Sequence, residues 1–307
     1  MSEAQIRQDK VLGMLWGLHA GDSLGAPLEF LPPSESWNSQ TEIVGGGKFN
    51  WKAGEATDDT DLMLCVMRAI QSSSQFSFDI LKREMLAWYA SNPPDIGTTT
   101  IKGLKNLAAD LPLRDCGFVN NDFQGNGSIM RVAPMCLLDE QVTTHYQGET
   151  IVSSLTDVLI TQTKMTHGHQ HCVDCDLVFV AALKAALAGN GKNEIFAVAV
   201  EKAKEVSPLI AERLQGLLSL PWEQLPTSGF CVDTLCAGLY AFMNYNFLEE
   251  SLVAVINRGD DSDSCGAVAG ALCGAFHGSA AIPARWLNKL EFKEEIQQLV
   301  NAFFGQH

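Results

Sequence analysis

Glycine recurs at every fourth position in two separate stretches, at Gly13, Gly17, Gly21 and Gly25 and again at Gly266, Gly270, Gly274 and Gly278. On a helix, each set forms a stripe without side chains along one face. A glycine inside a helix costs about 1 kcal/mol relative to alanine, so eight of them need compensation. Close approach of another backbone supplies it, by the steric argument that applies to small-residue faces in membranes. The two glycine-striped helices are therefore expected at the centre of a bundle, in contact with one another.

The rest of the chain supports a helical fold. Apolar residues keep helical spacing over residues 8–24, 60–73, 78–91, 97–109, 148–165, 173–189, 193–204, 232–245, 248–257, 264–278 and 291–304. Convincing alternating strands are absent. Pro32-Pro33, Gly45-Gly46-Gly47, Pro93-Pro94 and Gly189-Asn190-Gly191 mark turns. No shift in composition marks a boundary, so residues 1–307 are read as one all-α domain. Residues 265–282 carry no charge apart from one at His277, but the run is mostly Gly, Ala and Ser and directly follows three aspartates. That composition predicts a buried soluble helix rather than a membrane span.

The net charge of −15 argues against a nucleic-acid or anionic-membrane partner. Small anions remain compatible, since backbone N–H groups and metal ions hold phosphates locally. Nine scattered cysteines and a polar N-terminal segment without an apolar signal predict a reducing, cytoplasmic setting.

Two acidic clusters remain: Thr57-Asp58-Asp59-Thr60-Asp61 and Asp260-Asp261-Ser262-Asp263-Ser264. Each precedes a helical stretch, so capping accounts for one or two acids in each. Three in each is an excess. An EF-hand fails on position: counting from Asp261, the fifth residue is Cys265 and the twelfth is Leu272, where an oxygen ligand and a glutamate are required. What remains is a hard-cation site assembled from two helix starts. Carboxylates and hydroxyls suit Mg²⁺, Mn²⁺ or Ca²⁺ rather than zinc.

Five segments, taken together, resemble the ADP-ribosylglycohydrolase family. They are Gly21-Asp22-Ser23-Leu24-Gly25-Ala26-Pro27-Leu28-Glu29; Thr57-Asp58-Asp59-Thr60; Asp95-Ile96-Gly97; Gly125-Asn126-Gly127-Ser128-Ile129-Met130-Arg131-Val132-Ala133-Pro134; and residues 259–264 with the helix that follows. Each is weak alone, but they keep the family's order across most of the chain. The resemblance implies an all-α orthogonal helix bundle with a cleft holding two divalent ions, Mg²⁺ or Mn²⁺. It assigns Thr57, Asp58 and Asp59 to the metals from one side and Asp261, Asp263 and Ser264 from the other. Where the family has Gly-Gly-Asp-Thr-Asp-Thr, this chain has Gly259-Asp260-Asp261-Ser262-Asp263-Ser264. Serine keeps the ligating hydroxyl. Asp260 in a glycine position adds charge and removes backbone freedom, a change able to alter metal preference or access.

The resemblance also implies catalytic roles for Glu29 and Asp95. Read without it, Glu29 is an ordinary surface glutamate and Asp95 an N-cap for the helix starting near Ile96. Asp59 joins them, because its loss is expected to abolish turnover. Asn126, Gly127, Ser128 and Met130 form a turn expected to meet the diphosphate of ADP-ribose, and Met130 stands where a dinucleotide fingerprint needs its third glycine. Thr166-His167 resembles a Thr-His pair near the ligand. His167 also opens a run with His169, His171, Cys172 and Cys175, a set able to bind zinc but lacking the second ligand pair of a structural site.

The implied reaction is hydrolysis of the glycosidic bond at the ribose anomeric carbon of an ADP-ribosylated protein, releasing ADP-ribose. Arginine linkage is favoured, with serine or O-acyl linkage as the alternative. A non-catalytic, crystallin-like relative and a two-metal phosphoesterase are the rivals.

Overall fold

The computed structural model describes residues 2–34 and 39–305. Its axis is the pair of glycine-striped helices, α1 (Glu3–Gly25) and α11 (Ser262–His277). They run antiparallel, with Gly13 against Gly274, Gly17 against Gly270 and Gly21 against Gly266. A Cβ at Gly13 would lie 2.5 Å from the Gly274 carbonyl oxygen, and Cβ atoms at Gly17 and Gly21 would overlap the Gly270 and Gly266 carbonyls. Helix α1 starts earlier than its apolar spacing predicts, because Ser2 and Gln5 form a capping box. Gly278, at φ 82°, closes α11.

Around this pair lie α2 (Asp58–Ala69), α3 (Phe78–Ala90), α4 (Thr98–Ala108), α5 (Leu155–Lys164), α6 (Gln170–Leu187), α7 (Lys192–Val206), α8 (Pro208–Leu217), α9 (Cys231–Asn244), α10 (Leu248–Ile256), α12 (Ala284–Leu287) and α13 (Lys293–Gly305). Helices α6, α9 and α10 pack on α11, and Gly238 of α9 lets Val268 come close. Leu15, Leu18, Met63, Phe179, Phe242 and Leu272 fill the core. Among the described residues no helix is long and apolar enough to cross a membrane.

The helical class stands, with a small sheet added. Strands β1 (Ile70–Ser72), β2 (Gln75–Ser77), β3 (Gln141–Tyr146) and β4 (Glu149–Ser154) form one sheet in that order. The outer pairs are antiparallel and β2–β3 is parallel. Helices expected over 60–73 and 148–165 are therefore shorter. In the second, Gln147 and Gly148 take positive φ and turn β3 into β4. Thr150, Ile151 and Val152 favour the strand that follows. Helix α8 lies outside the expected helices, although Ser207 caps it and Pro208 opens it, a standard helix start.

Candidate active site

The two acidic clusters meet. Ser264 Oγ on α11 donates to Asp59 Oδ2 on α2 at 3.2 Å, joining residues 205 apart in sequence. Thr57 is the N-cap of α2, its hydroxyl accepting the Asp59 N–H at 3.3 Å. Capping thus explains Thr57; Asp58 lines the cavity above this junction, while Thr57 and Asp59 lie buried beneath its wall, Asp59 Oδ2 also accepting the Thr57 hydroxyl at 3.4 Å. Asp61 turns away and accepts the Trp88 indole N–H at 2.9 Å, holding α3. Asp261 sits at the N-cap position of α11, yet its side chain makes no cap hydrogen bond. Asp263 Oδ1 accepts the Ser264 N–H at 2.9 Å, so one acid of the second cluster serves the helix start and Asp261 does not.

A cavity of about 180 Å³ lies over this junction, with Glu29, Asp58, Asp95, Asn126, Gly127, Met130, His167, Asp261, Asp263 and Ser264 in its walls. Larger cavities occur elsewhere, including one of about 560 Å³ beside Lys10 and Lys184 and one of about 260 Å³ lined by Glu55, Asp61, Asp95 and Glu291, but neither takes residues from both acidic clusters.

Three expected residues differ in detail from their simplest reading. Asp95 does not cap the helix beside it: α4 begins after Gly97 with no side-chain cap, and Asp95 Oδ2 instead accepts the Asp58 N–H at 2.8 Å. Ser128 is fully buried and donates to Asp176 at 3.2 Å, so its hydroxyl braces the turn from behind. Asn126 donates to Thr234 Oγ1 at 2.9 Å, which fixes that side chain on the wall.

Asp22 belongs to the first family-like segment, yet sequence reasoning assigns it no role. It is fully buried on α1, and its Oδ2 accepts the Thr57 and Thr60 N–H groups at 3.2 and 3.3 Å and the Thr60 hydroxyl at 2.5 Å. It ties the start of α2 to the central helix pair. A charged residue beside Gly21 on an otherwise uncharged buried face was the available signal.

The electrostatics are those of crowded acids out of water. Burial, then neighbouring carboxylates, pushes Asp58, Asp59 and Asp263 well above the usual carboxylate range. Burial also raises Asp261 and Asp95. Glu29 is pushed up to about 8 by burial, Asp261 and Asp95, with Lys48 opposing. Burial raises Asp22 to about 7 despite its hydrogen bonds from Thr60 and Thr57.

The donors fit a hard divalent cation: they are carboxylates and hydroxyls, and buried Asp59 Oδ1, Asp22 Oδ1 and Glu29 Oε2 have no hydrogen-bond partner among the described residues. Among the described residues, no group of three or more His, Cys, Asp and Glu side chains already has the spacing of a metal site. The fit therefore rests on donor chemistry and unpartnered oxygens rather than on a preformed cage.

The histidine–cysteine run is divided. His167 faces the cavity, His169 and His171 hydrogen-bond Asn121 and Gln124, and Cys172 and Cys175 are buried in the core.

Comparisons with known proteins point to one family. A family model described as ADP-ribosylglycohydrolase matches residues 3–307. The chain is 31% identical to an "ADP-ribosylarginine hydrolase Tri1" of Pseudomonas putida (strain GB-1), over 97% of this chain and 78% of that protein. It is 27% identical to the "ADP-ribosyl-[dinitrogen reductase] glycohydrolase" of Rhodospirillum rubrum, over 97% and 96% respectively. A solved "ADP-ribosylglycohydrolase-related protein complex" superposes with a TM-score of 0.79 at 29% identity, covering 98% of this chain and 99% of that one.

Proposed function

The chain belongs to the ADP-ribosylglycohydrolase family, and we propose that it removes ADP-ribose from arginine side chains of modified proteins. The observation that carries this reading is the Ser264–Asp59 junction, which turns two acidic helix starts into one cleft. Arginine linkage is favoured by the relative named for ADP-ribosylarginine.

Thr57, Asp58 and Asp59 on one side and Asp261, Asp263 and Ser264 on the other would hold two Mg²⁺ or Mn²⁺ ions. When bound, these ions would supply charge neutralisation and orientation of the sugar hydroxyls. Water attacks the anomeric carbon as the bond to the guanidine nitrogen breaks through an oxocarbenium-like state. One proton leaves the water and one reaches the departing guanidine, so the products are ADP-ribose and unmodified arginine. Glu29 is suited to this proton transfer, because it lines the cleft and its buried Oε2 has no hydrogen-bond partner among the described residues. Asp95, with one oxygen on the Asp58 N–H, positions the start of α2. The Asn126–Gly127 turn, with Met130 and His167, forms the wall for the nucleotide.

The test is release of ADP-ribose from arginine-linked and serine-linked peptides, with and without Mg²⁺ or Mn²⁺. Release from the arginine peptide, dependent on the ion, is expected. Asp59→Ala and Asp261→Ala should each lower it by more than about 100-fold, since changes merely behind metal ligands cost roughly 10–100-fold. Near-wild-type rates in either variant at limiting metal would refute the ligand assignment. Release from the serine peptide alone would transfer the reading to O-linked substrates, and tight ADP-ribose binding without release would make the protein a binder.

A further inference from the structure

Behind the glycine turn lies a buried cation that the reaction above does not use. Arg131 is fully buried. Its Nη1 donates to the Gly127 carbonyl at 2.6 Å, its Nε to Gln162 Oε1 at 3.3 Å and its Nη2 to Thr166 Oγ1 at 2.8 Å. Facing it is the carboxyl of Asp176, also fully buried, which accepts from Ser128, Thr163 and Gln162 at 3.2, 2.5 and 3.3 Å. The Gln162 amide therefore links the two groups, donating to one and accepting from the other.

The donor count of this network reaches the cleft. A guanidinium only donates, so Thr166 Oγ1 must accept from Arg131. The Thr166 hydroxyl then has one hydrogen to give. His167 Nδ1, 2.8 Å away, is the acceptor within hydrogen-bonding distance of it among the described residues. If Nδ1 accepts, the ring proton resides on Nε2. No hydrogen bond to another protein group engages Nε2 among the described residues. That edge of the ring lies against the turn: a Cβ at Gly127 would stand 3.0 Å from Nε2, and one at Gly125 3.8 Å.

We propose that Arg131 is a positioning residue that, through the Thr166 hydroxyl, holds His167 as its neutral Nε2–H form and so makes it a hydrogen-bond donor to an oxygen of the ADP-ribosyl group. The ligand named here rests on the function proposed above; the proton placement does not. Burial and the nearby Arg131 charge both hold His167 well below the usual imidazole range, in keeping with a ring that stays neutral. The same guanidinium fixes the Gly127 carbonyl, so the turn and the ring are aligned by one group.

Two measurements on the full chain test this. In uniformly ¹⁵N-labelled wild-type protein, long-range nitrogen–proton correlation of the His167 ring should show a protonated Nε2 and a bare Nδ1, unchanged between pH 6 and pH 8. A bare Nε2, or a doubly protonated ring, overturns the proposal. Calorimetric titration with ADP-ribose should show Thr166→Val binding about tenfold more weakly, the scale of one hydrogen bond to a charged group. Thr166→Ser, which keeps the hydroxyl, should stay near wild type. Equal affinity in wild type and Thr166→Val overturns the proposal. If Thr166→Val does not fold, the wild-type spectrum decides. A wild-type protein that shows the Nε2–H ring but binds no ADP-ribose overturns the ligand reading and leaves the proton placement standing.

Discussion

Asp260 takes a left-handed backbone conformation, φ 58°, where the family motif has glycine. The shape has a purpose: its carbonyl accepts the Phe30 N–H at 2.7 Å and its N–H donates to Leu31 at 2.8 Å, pairing the second acidic cluster with the loop that carries Glu29. An L-residue here costs roughly 1–2 kcal/mol, least for Asp and Asn. Glycine would relieve that strain but add about 0.4–1 kcal/mol of unfolded-chain freedom. The two nearly cancel, and the Asp260 side chain is exposed. Asp260→Gly is therefore expected to change urea-denaturation stability by less than about 1 kcal/mol. It should also leave the Mg²⁺ or Mn²⁺ preference unmoved, because an exposed charge is screened by salt. A larger loss would mean that the carboxylate itself holds the loop. At this scale motifs named many residues of the cleft wall, but missed Thr98, Thr99, Thr100 and Gly229 beside them and did not give side-chain directions. Whether Ser128 faces ligand or Asp176, or Asp61 faces metal or Trp88, depends on partners 48 and 27 residues away, which local spacing does not encode.

The central helices show what a repeated small residue does at the scale of an element. The Gly266, Gly270 and Gly274 carbonyls lie where Cβ atoms of the facing glycines would stand. The obstruction is backbone, so no side-chain rotation can relieve it. Overpacking a closed interior typically costs about 1–3 kcal/mol, and a leucine here must push α1 and α11 away from each other. Gly270→Leu is expected to exceed that range and to lower the thermal midpoint by more than about 5 °C, on the usual scale of 2–4 °C per kcal/mol for large domains. A neutral midpoint would show that the stripe is incidental. This pairing was legible in the sequence because a four-residue period is a property of one helix read alone. The β3–β4 hairpin was not, since apolar spacing over 148–165 fits a helix until the turn at Gln147 and Gly148 is weighed. Ile151 and Val152, 55% and 66% exposed, do not mark a core face that could have corrected the reading.

For the whole molecule, burying the acidic cleft makes stability depend on pH in a definite direction. Glu29 rises from 4.5 to about 8, Asp22 from 3.8 to about 7, and Asp176 from 3.8 to about 7. Groups whose folded pKa exceeds the unfolded value bind more protons when folded, so stability falls as pH rises through that interval. Buried histidines act in the opposite sense below their ordinary value of 6.5: His19 is lowered to about 3, and His167 is also lowered. Above 6.5 these rings are largely neutral in both states, and the carboxylates alone govern the slope. Chelator-treated protein should therefore lose thermal midpoint steadily between pH 6.5 and pH 8. A divalent cation held between the clusters favours the charged carboxylates and stabilises the folded state by mass action. Saturating Mg²⁺ or Mn²⁺ should raise the midpoint most at pH 8 and flatten the profile. Thermal scans at four pH values, with chelator and with each ion, make the comparison. Parallel curves offset by a constant, or curves that coincide, would separate the acidic cleft from cation binding and remove the basis for a metal-assisted reaction.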